Sequence, residues 1–343
     1  MSIPNQMLAI QASQPGAPAV LKPVGVPVPR PGPGQVLVRV EATSVNFSDV
    51  KRRRGDVYPF ATAWPYTPGG EIAGTVAACG EGVQGLLPGQ PVFGLAGGDG
   101  RGGYAQFALA VAAQLNPIPP GLDAARASAL VIAGGTAMLL LRDAARLAAG
   151  ETVLIPGAAG GVGHYAVQIA RQRGARLVVA AASSRARADA ALALGAHVVV
   201  DDSQPGWADE VRRATDGAGV DVLLESAGGP VLAQGLRALG PFGRAVVYGA
   251  ASGQAAVLAE ADIEHLLYAP AMNQSLAAFN LGGWFMHRPQ AAGAALGELI
   301  GAVLGGRISV PPITTLPLTQ AAEAHQRLQA RQAIGKIVLD PWA

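Results

Sequence analysis

A chain of 343 residues is long enough for about two domains, and with 50% hydrophobic and 14% charged residues it carries a large core and no disordered composition. Its formal charge of +2 is too small to argue for a nucleic-acid or anionic-membrane partner, and the short run Lys51-Arg52-Arg53-Arg54 reads as a solvated loop. A single cysteine, Cys79, excludes an internal disulfide and suits a reducing compartment.

Residues 1–15 lack the basic segment and apolar core of a secretory signal, and the expected location is the cytoplasm. Residues 20–28 alternate around Pro23 and Pro27, 29–34 is a Pro/Gly loop, and 36–42 reads as a strand. Residues 46–54 are polar and begin as a helix. Residues 55–70, with Tyr58, Phe60, Trp64 and Tyr66, compose a structured loop. Strands at 72–78, 90–95 and 104–110, with 97–103 as a mobile turn, give a mostly antiparallel, barrel-like β-domain. From residue 123 the texture changes: 124–130 and 136–147 are Ala/Leu-rich at helical spacing, with Gly150 as the C-cap of the second. The apolar runs are interrupted well short of the ~20 residues a membrane span needs, so none is expected.

Strands and helices then alternate. The pairs are strand 153–155 and helix 162–173, strand 177–181 and helix 185–194, strand 197–200 and helix 207–214, and strand 220–224 and helix 230–238. Strands at 244–248 and 274–279 and a helix at 290–304 follow. That alternation is the signature of a parallel, doubly wound sheet. A segment at 310–315, a helix at 319–330 and a strand at 335–339 return to mixed texture. The expected architecture is a β-rich domain, 1–125 completed by 308–343, flanking a dinucleotide-binding domain, 126–307.

The turn between the first strand and helix of the second domain, Gly157-Ala158-Ala159-Gly160-Gly161-Val162-Gly163, is built of small residues. Backbone must approach a pyrophosphate closely there, and the helix start offers free N–H groups and a positive dipole end. Ala158 stands where the first glycine of G-x-G-x-x-G is usual. An NAD site places a carboxylate roughly 20 residues on, after the second strand. Here that strand ends in Ala182-Ser183-Ser184-Arg185-Ala186-Arg187, with no acid before Asp189. Two hydroxyls and two guanidinium groups suit the 2′-phosphate of NADPH. The other reading is a helix start capped by Ser183 or Ser184 with exposed arginines on its first turn.

The chain resembles the medium-chain dehydrogenase/reductase superfamily in its zinc-free quinone oxidoreductase branch. The resemblance rests on Val45-Asn46-Phe47-Ser48-Asp49, Pro65-Tyr66-Thr67-Pro68-Gly69-Gly70-Glu71-Ile72-Ala73-Gly74, Gly102-Gly103-Tyr104-Ala105 and Gly134-Gly135-Thr136-Ala137. The glycine turn, Leu194-Gly195-Ala196 and Gly335-Lys336-Ile337-Val338-Leu339 continue it in the family's order. It implies a GroES-like catalytic domain beside a Rossmann domain, and commonly a homodimer. Zinc-containing relatives have a histidine where this chain has Gly70 and a cysteine near Asn46, so no metal is expected.

The resemblance further implies hydride transfer from NADPH to a small quinone or α,β-unsaturated carbonyl. Asn46, Lys51, Tyr58 and Thr136 are the candidates for stabilising the oxyanion, with Asn46 and Thr136 also near the nicotinamide. Quinone reductases often carry a tyrosine at the position of Lys51, and Tyr58 matches a second tyrosine one residue late. The expected cofactor contacts are Ala159, Gly160, Gly161 and Val162 at the pyrophosphate, and Ser183, Ser184 and Arg187 at the 2′-phosphate. Tyr248, Gly249, Ala250, Phe279 and Leu281 fall at the nicotinamide half, and Lys336 is a further candidate. Two alternatives stand beside this reading, an enoyl-thioester reductase and a non-catalytic NADPH-binding protein.

Overall fold

A computed structural model describes residues 3–251, 253–254, 258–270 and 272–343. The chain divides into two compact units, 1–132 with 311–343, and 133–310.

The first unit is built on a seven-stranded sheet. Its order is Ile313–Pro317, Lys336–Asp340, Gln35–Ser44, Glu71–Cys79, Pro91–Leu95 and Leu115–Pro117, with Phe107–Val111 also paired to Gln35–Ser44. Every pairing is antiparallel except that of Ile313–Pro317 with Lys336–Asp340. Gln35–Ser44 lies between three partners, and Val36, Leu37, Val38, Val40 and Ala42 are all buried. Its ladder with Glu71–Cys79 is bulged, and at Gly74 a Cβ would lie 2.0 Å from the Arg39 carbonyl oxygen, so only glycine fits there. A separate ribbon pairs Gln6–Gln11 with Lys22–Pro27.

The sequence reading placed no strand at 6–11 or 115–117; the latter is three residues long and ends in proline, too short for a periodicity to register. Two of its expectations are corrected. The turn at 97–103 is tied down rather than mobile: Gly97 N–H donates to Leu109 O, Gly103 N–H to Gly69 O, and the Arg52 guanidinium to the Asp99 and Gly100 carbonyls. The helix expected from residue 46 is present as Phe47–Arg54, but its basic run is not a solvated loop, since Arg52 and Arg53 are buried. Arg53 donates to Gly16 O and to Gln329 Oε1, so its charge joins segments far apart in sequence.

A single helix covers Ala124–Ala144, with π turns at Leu130–Gly134 and Leu140–Ala144, where the sequence suggested two helices. It is 21 residues long with mean hydropathy 1.7, so by length and composition it could cross a membrane, against the expectation of no such stretch. With 78% of its apolar window buried inside the molecule, it has the character of a core helix. Because it ends at Ala144, Gly150 belongs to the turn before the next strand and is not its C-cap.

The second unit holds a six-stranded sheet in the order Val198–Val200, Leu177–Ala181, Thr152–Pro156, Val220–Glu225, Leu239–Val247 and Ser275–Ala278, all parallel. In chain order this is 3-2-1-4-5-6, the doubly wound order of dinucleotide-binding folds. Near-continuous Val/Leu/Ile strands are what burial on both faces demands. Trp207, fully buried, packs with Leu154, Val179, Leu223 and Leu236 in one cluster. Helices Glu260–Tyr268 and Leu281–His287 lie where the sequence reading assigned none.

Candidate functional site

The strand order reverses between Thr152–Pro156 and Val220–Glu225, and the glycine turn leaves the first of these at its carboxyl end. Ligands of open α/β sheets bind at such a switch point. Gly157 has φ +66, and a Cβ on Gly163 would sit 2.3 Å from Gly157 O and 2.6 Å from the Ala158 Cα. The helix Gly161–Gln172 can therefore approach its strand only through glycine. His164 N–H donates to Gly160 O as the first intrahelical bond, which leaves the Gly161, Val162 and Gly163 N–H groups without intrahelical acceptors. No side chain caps this end. These donors fit a pyrophosphate. Within the turn, Ala158 and Ala159 are buried.

After the second strand, Ser183 and Ser184 are exposed and Arg187 is half-buried. Ser184 occupies the N-cap position of Arg185–Ala193 without donating or accepting a side-chain cap bond. Arg185 is paired with Asp189 at 2.9 Å on the surface. At the end of the fifth strand Tyr248 hydrogen-bonds Ser226, and burial pushes its phenol up to about 12. Gly249 lies so close to Ser226 that a Cβ would meet Ser226 O at 2.8 Å, and Ala250 follows, half-buried. Phe279 is buried and stacked on Trp284, with ring centroids 6.1 Å apart. Leu281 opens the next helix, capped by Asn280 through Gly283 N–H. Thr136 is buried on the helical segment Gly135–Leu139.

The switch point also holds residues the sequence reading passed over. Glu225, buried, accepts the Ala227 and Gly228 N–H groups, and burial raises its carboxyl above the ordinary range. Ser226 beside it contacts Tyr248 and lies near Gly249. The Gly228-Gly229-Pro230 stretch after the fourth strand was the signal for this second wall of the crevice.

A closed polar cluster lies in the first unit. Lys336 Nζ donates to Asn46 Oδ1 at 2.6 Å and to Val45 O at 3.2 Å, and sits 3.9 Å from Glu71 Oε2. Asn46 Nδ2 donates to Ser44 O and Glu71 Oε2, both at 3.2 Å. Glu71 also accepts the Ser44 hydroxyl at 2.8 Å and the Ile132 N–H at 3.0 Å. Burial lowers the Lys336 ammonium, while Glu71 and Asp49 oppose that shift. Asp49 is pushed up to about 6 by burial, against its hydrogen bonds from the Asn46 and Gly69 N–H groups. Both ends of the Asn46 amide are thus committed within the unit, as is Lys336.

Lys51 stands half-exposed on the same helix. Tyr58 hydrogen-bonds Ser48, its ring lies 5.1 Å from the Arg52 guanidinium, and burial raises its phenol above the ordinary value. The donor set around Asn46 does not suit zinc. An ammonium lies beside Glu71 where a metal would need a ligand pair, and among the described residues no three His, Cys, Asp or Glu side chains converge.

Two family models match the chain, Alcohol dehydrogenase GroES-like domain over residues 32–120 and Zinc-binding dehydrogenase over 161–285. A quinone oxidoreductase from Pseudomonas syringae pv. Tomato DC3000 is 31% identical, with TM-score 0.89 over 98% of this chain and 100% of that one. The chain belongs to the medium-chain dehydrogenase/reductase superfamily. As an oxidoreductase of this type it is also similar to Escherichia coli quinone oxidoreductase complexed with NADPH, at 27% identity, with TM-score 0.89 over 97% and 100% of the two chains. Among curated proteins it matches a mycocerosic acid synthase-like polyketide synthase of Mycobacterium tuberculosis, 34% identical over 90% of this chain. This reductase-superfamily chain spans 14% of that relative's length.

Proposed function

We propose that this protein transfers hydride from NADPH to a quinone or an α,β-unsaturated carbonyl compound, without zinc. The observation that carries the reading is the 3-2-1-4-5-6 parallel sheet, whose first turn presents uncapped N–H groups and whose second strand runs into serines and arginines with no acid before Asp189. NADPH, when bound, supplies the hydride. The N–H groups at 161–163 hold its pyrophosphate, and Ser183, Ser184 and Arg187 hold the 2′-phosphate, where a carboxylate would repel it. Tyr248, Gly249, Ala250, Phe279, Leu281 and Thr136 serve the nicotinamide half. The charge developing on the substrate oxygen falls to hydrogen-bond donors rather than a Lewis acid. Tyr58, kept protonated by burial, and Lys51 are the donors that suit this task. Asn46 and Lys336 serve by fixing the backbone from which that helix starts.

The test mixes the protein with NADPH or NADH and either a quinone or a crotonyl thioester, and follows loss of the reduced nicotinamide absorbance. Turnover of the quinone with NADPH, and weaker turnover with NADH, is expected. Reduction of the thioester alone would instead establish the second reading, an enoyl-thioester reductase, which the similarity to the polyketide synthase favours. Tight NADPH binding with no acceptor reduced would mark a non-catalytic cofactor-binding protein. The reading includes a homodimer, for which the four exposed residues of the edge strand Ser275–Ala278 offer a pairing surface, and light scattering checks it.

A further inference from the structure

The helix Ala124–Ala144 ends in an unusual way. Leu147 N–H reaches back to Leu141 O at 2.8 Å, and between them Arg146 takes φ +51, a left-handed conformation that glycine adopts freely and an L side chain resists. Arg146 is exposed, and among the described residues its guanidinium has no hydrogen bond or ion pair. Arg288, in the link between Leu281–His287 and Pro289–Leu304, is likewise exposed and unpaired. Arg142 is held rigidly by Asp143 at 2.8 Å, Glu298 at 3.3 Å and Ala291 O at 2.9 Å. These three arginines, with Asp143, Ala291 and Trp284, line a cavity of about 520 Å³. Arg142 is met by two carboxylates, Asp143 on the wall and Glu298 behind it, so the three guanidinium groups leave a net charge of +1, and the cations free to meet a ligand are Arg146 and Arg288. Trp284, stacked on Phe279, adds an aromatic side chain to the lining.

The arginine end of this cavity lies away from the glycine turn, while its Trp284 side reaches toward Phe279. Arg244 donates to the Ala145 and Arg146 carbonyls and pairs with Ser275 in the opening register of that edge strand, so the Arg146 end lies at the amino ends of the strands. The glycine turn lies at their carboxyl ends.

We propose that this cavity is a second anion site, which takes a phosphate ester, with the phosphate between Arg146 and Arg288 and the organic group on Trp284. A phosphate monoester carries close to two negative charges at neutral pH, matching the two unpaired guanidinium groups, and accepts charge-assisted hydrogen bonds from both. The competing explanation is that Arg146 merely complements the negative end of its helix.

Phenyl phosphate, titrated calorimetrically into the full chain saturated with NADPH, separates the two. Saturable heat is expected, with Arg146→Gly and Arg288→Ala each weakening binding roughly tenfold or more. Arg146→Gly should keep the melting temperature and the NADPH affinity, because glycine is at ease in that conformation. Trp284→Ala should weaken phenyl phosphate more than inorganic phosphate. Absence of saturable heat in the wild type, or unchanged affinity in both arginine variants, overturns the proposal. If Arg146→Gly lowers the melting temperature, Arg288→Ala decides. Should the chain bind no NADPH, the proposed function fails on that result, and the same titration without the dinucleotide still decides whether this site exists.

Discussion

The cluster around Lys336 and the turn at 157–163 both concentrate hydrogen-bonding groups, and they do so in opposite ways. In the first, Glu71 meets the Ser44 hydroxyl, the Asn46 amide, the Ile132 N–H and the Lys336 ammonium, so its charge is met inside one unit. In the second, glycines draw helix and strand together and leave N–H groups at 161–163 aimed outward with no capping side chain. A satisfied network stiffens the fold around it, whereas an unsatisfied donor set at a helix end draws an anion to complete it. The contrast assigns the first to architecture and the second to ligand binding, and it can be broken at either end.

The largest effect is expected at Glu71. Glu71→Leu leaves the buried Lys336 ammonium without its carboxylate and should cost about 3–5 kcal/mol, read by denaturant unfolding. Lys336→Met should cost less, since Glu71 keeps three hydrogen-bond donors. The double variant Glu71→Leu/Lys336→Met should recover part of the loss, because neither charge is then buried alone. Full additivity of the two single changes would show that the pair is not coupled.

Next comes the turn itself. Gly163→Ala places a Cβ within 2.3 Å of Gly157 O and should cost roughly 1–3 kcal/mol as well as dinucleotide binding. Gly160→Ala is the sharper probe, since its Cβ meets only Gly157 O, at 3.2 Å. It should spare the melting temperature while weakening both dinucleotides at least several-fold, measured by calorimetry. Loss of stability without loss of binding would place the ligand elsewhere.

How much of this was legible in the sequence follows the same division. The glycine turn and the alternation after residue 152 could be read directly, because strand, turn and helix are local patterns, and the parallel sheet follows from them. The closed cluster could not. Glu71 and Lys336 are 265 positions apart in a pairing that only the sheet creates. The Lys51-Arg52-Arg53-Arg54 run misled for a related reason, since charge density argues for solvent until tertiary partners such as Asp99, Gly16 and Gln329 are known. Helix Ala124–Ala144 was split because Gly134-Gly135 reads as a break, and its π turns carry the chain through it. The switch-point residues Glu225 and Ser226 needed the strand order, which periodicity does not contain.

A second closed pair in the first unit supplies a pH test. Tyr104 and His325 are fully buried with Oη and Nε2 3.0 Å apart, and burial pushes the imidazole down to about 3 from its ordinary 6.5. The unfolded chain therefore takes up a proton that the folded one refuses. Stability from this group is complete above about pH 6.5 and falls as pH drops toward 3, by about 1.4 kcal/mol per pH unit. Asp49, raised to about 6, works in the opposite sense between 3.8 and 6, so the slope is best read as wild type minus His325→Phe. That variant should lose the acid-side slope and add a pH-independent cost of about 1–3 kcal/mol for the unbonded Tyr104 hydroxyl. Equal slopes in the two proteins would mean the imidazole is protonated in the fold.

The smallest effect lies where the open centre chooses its ligand. Arg187→Ala should raise the NADPH dissociation constant about tenfold and leave NADH unchanged, because only NADPH offers a 2′-phosphate to a guanidinium. Arg185 is exposed and already paired with Asp189, so Arg185→Ala should shift stability by less than about 0.5 kcal/mol and deepen the NADPH loss only in the double variant. The discrimination matters more than the size. A side chain that only shapes the helix start would weaken both dinucleotides alike, whereas one that reads the phosphate must split them. A parallel loss would return Ser183, Ser184 and Arg187 to the status of an exposed helix start and leave selectivity to the pyrophosphate turn, which cannot tell the two dinucleotides apart.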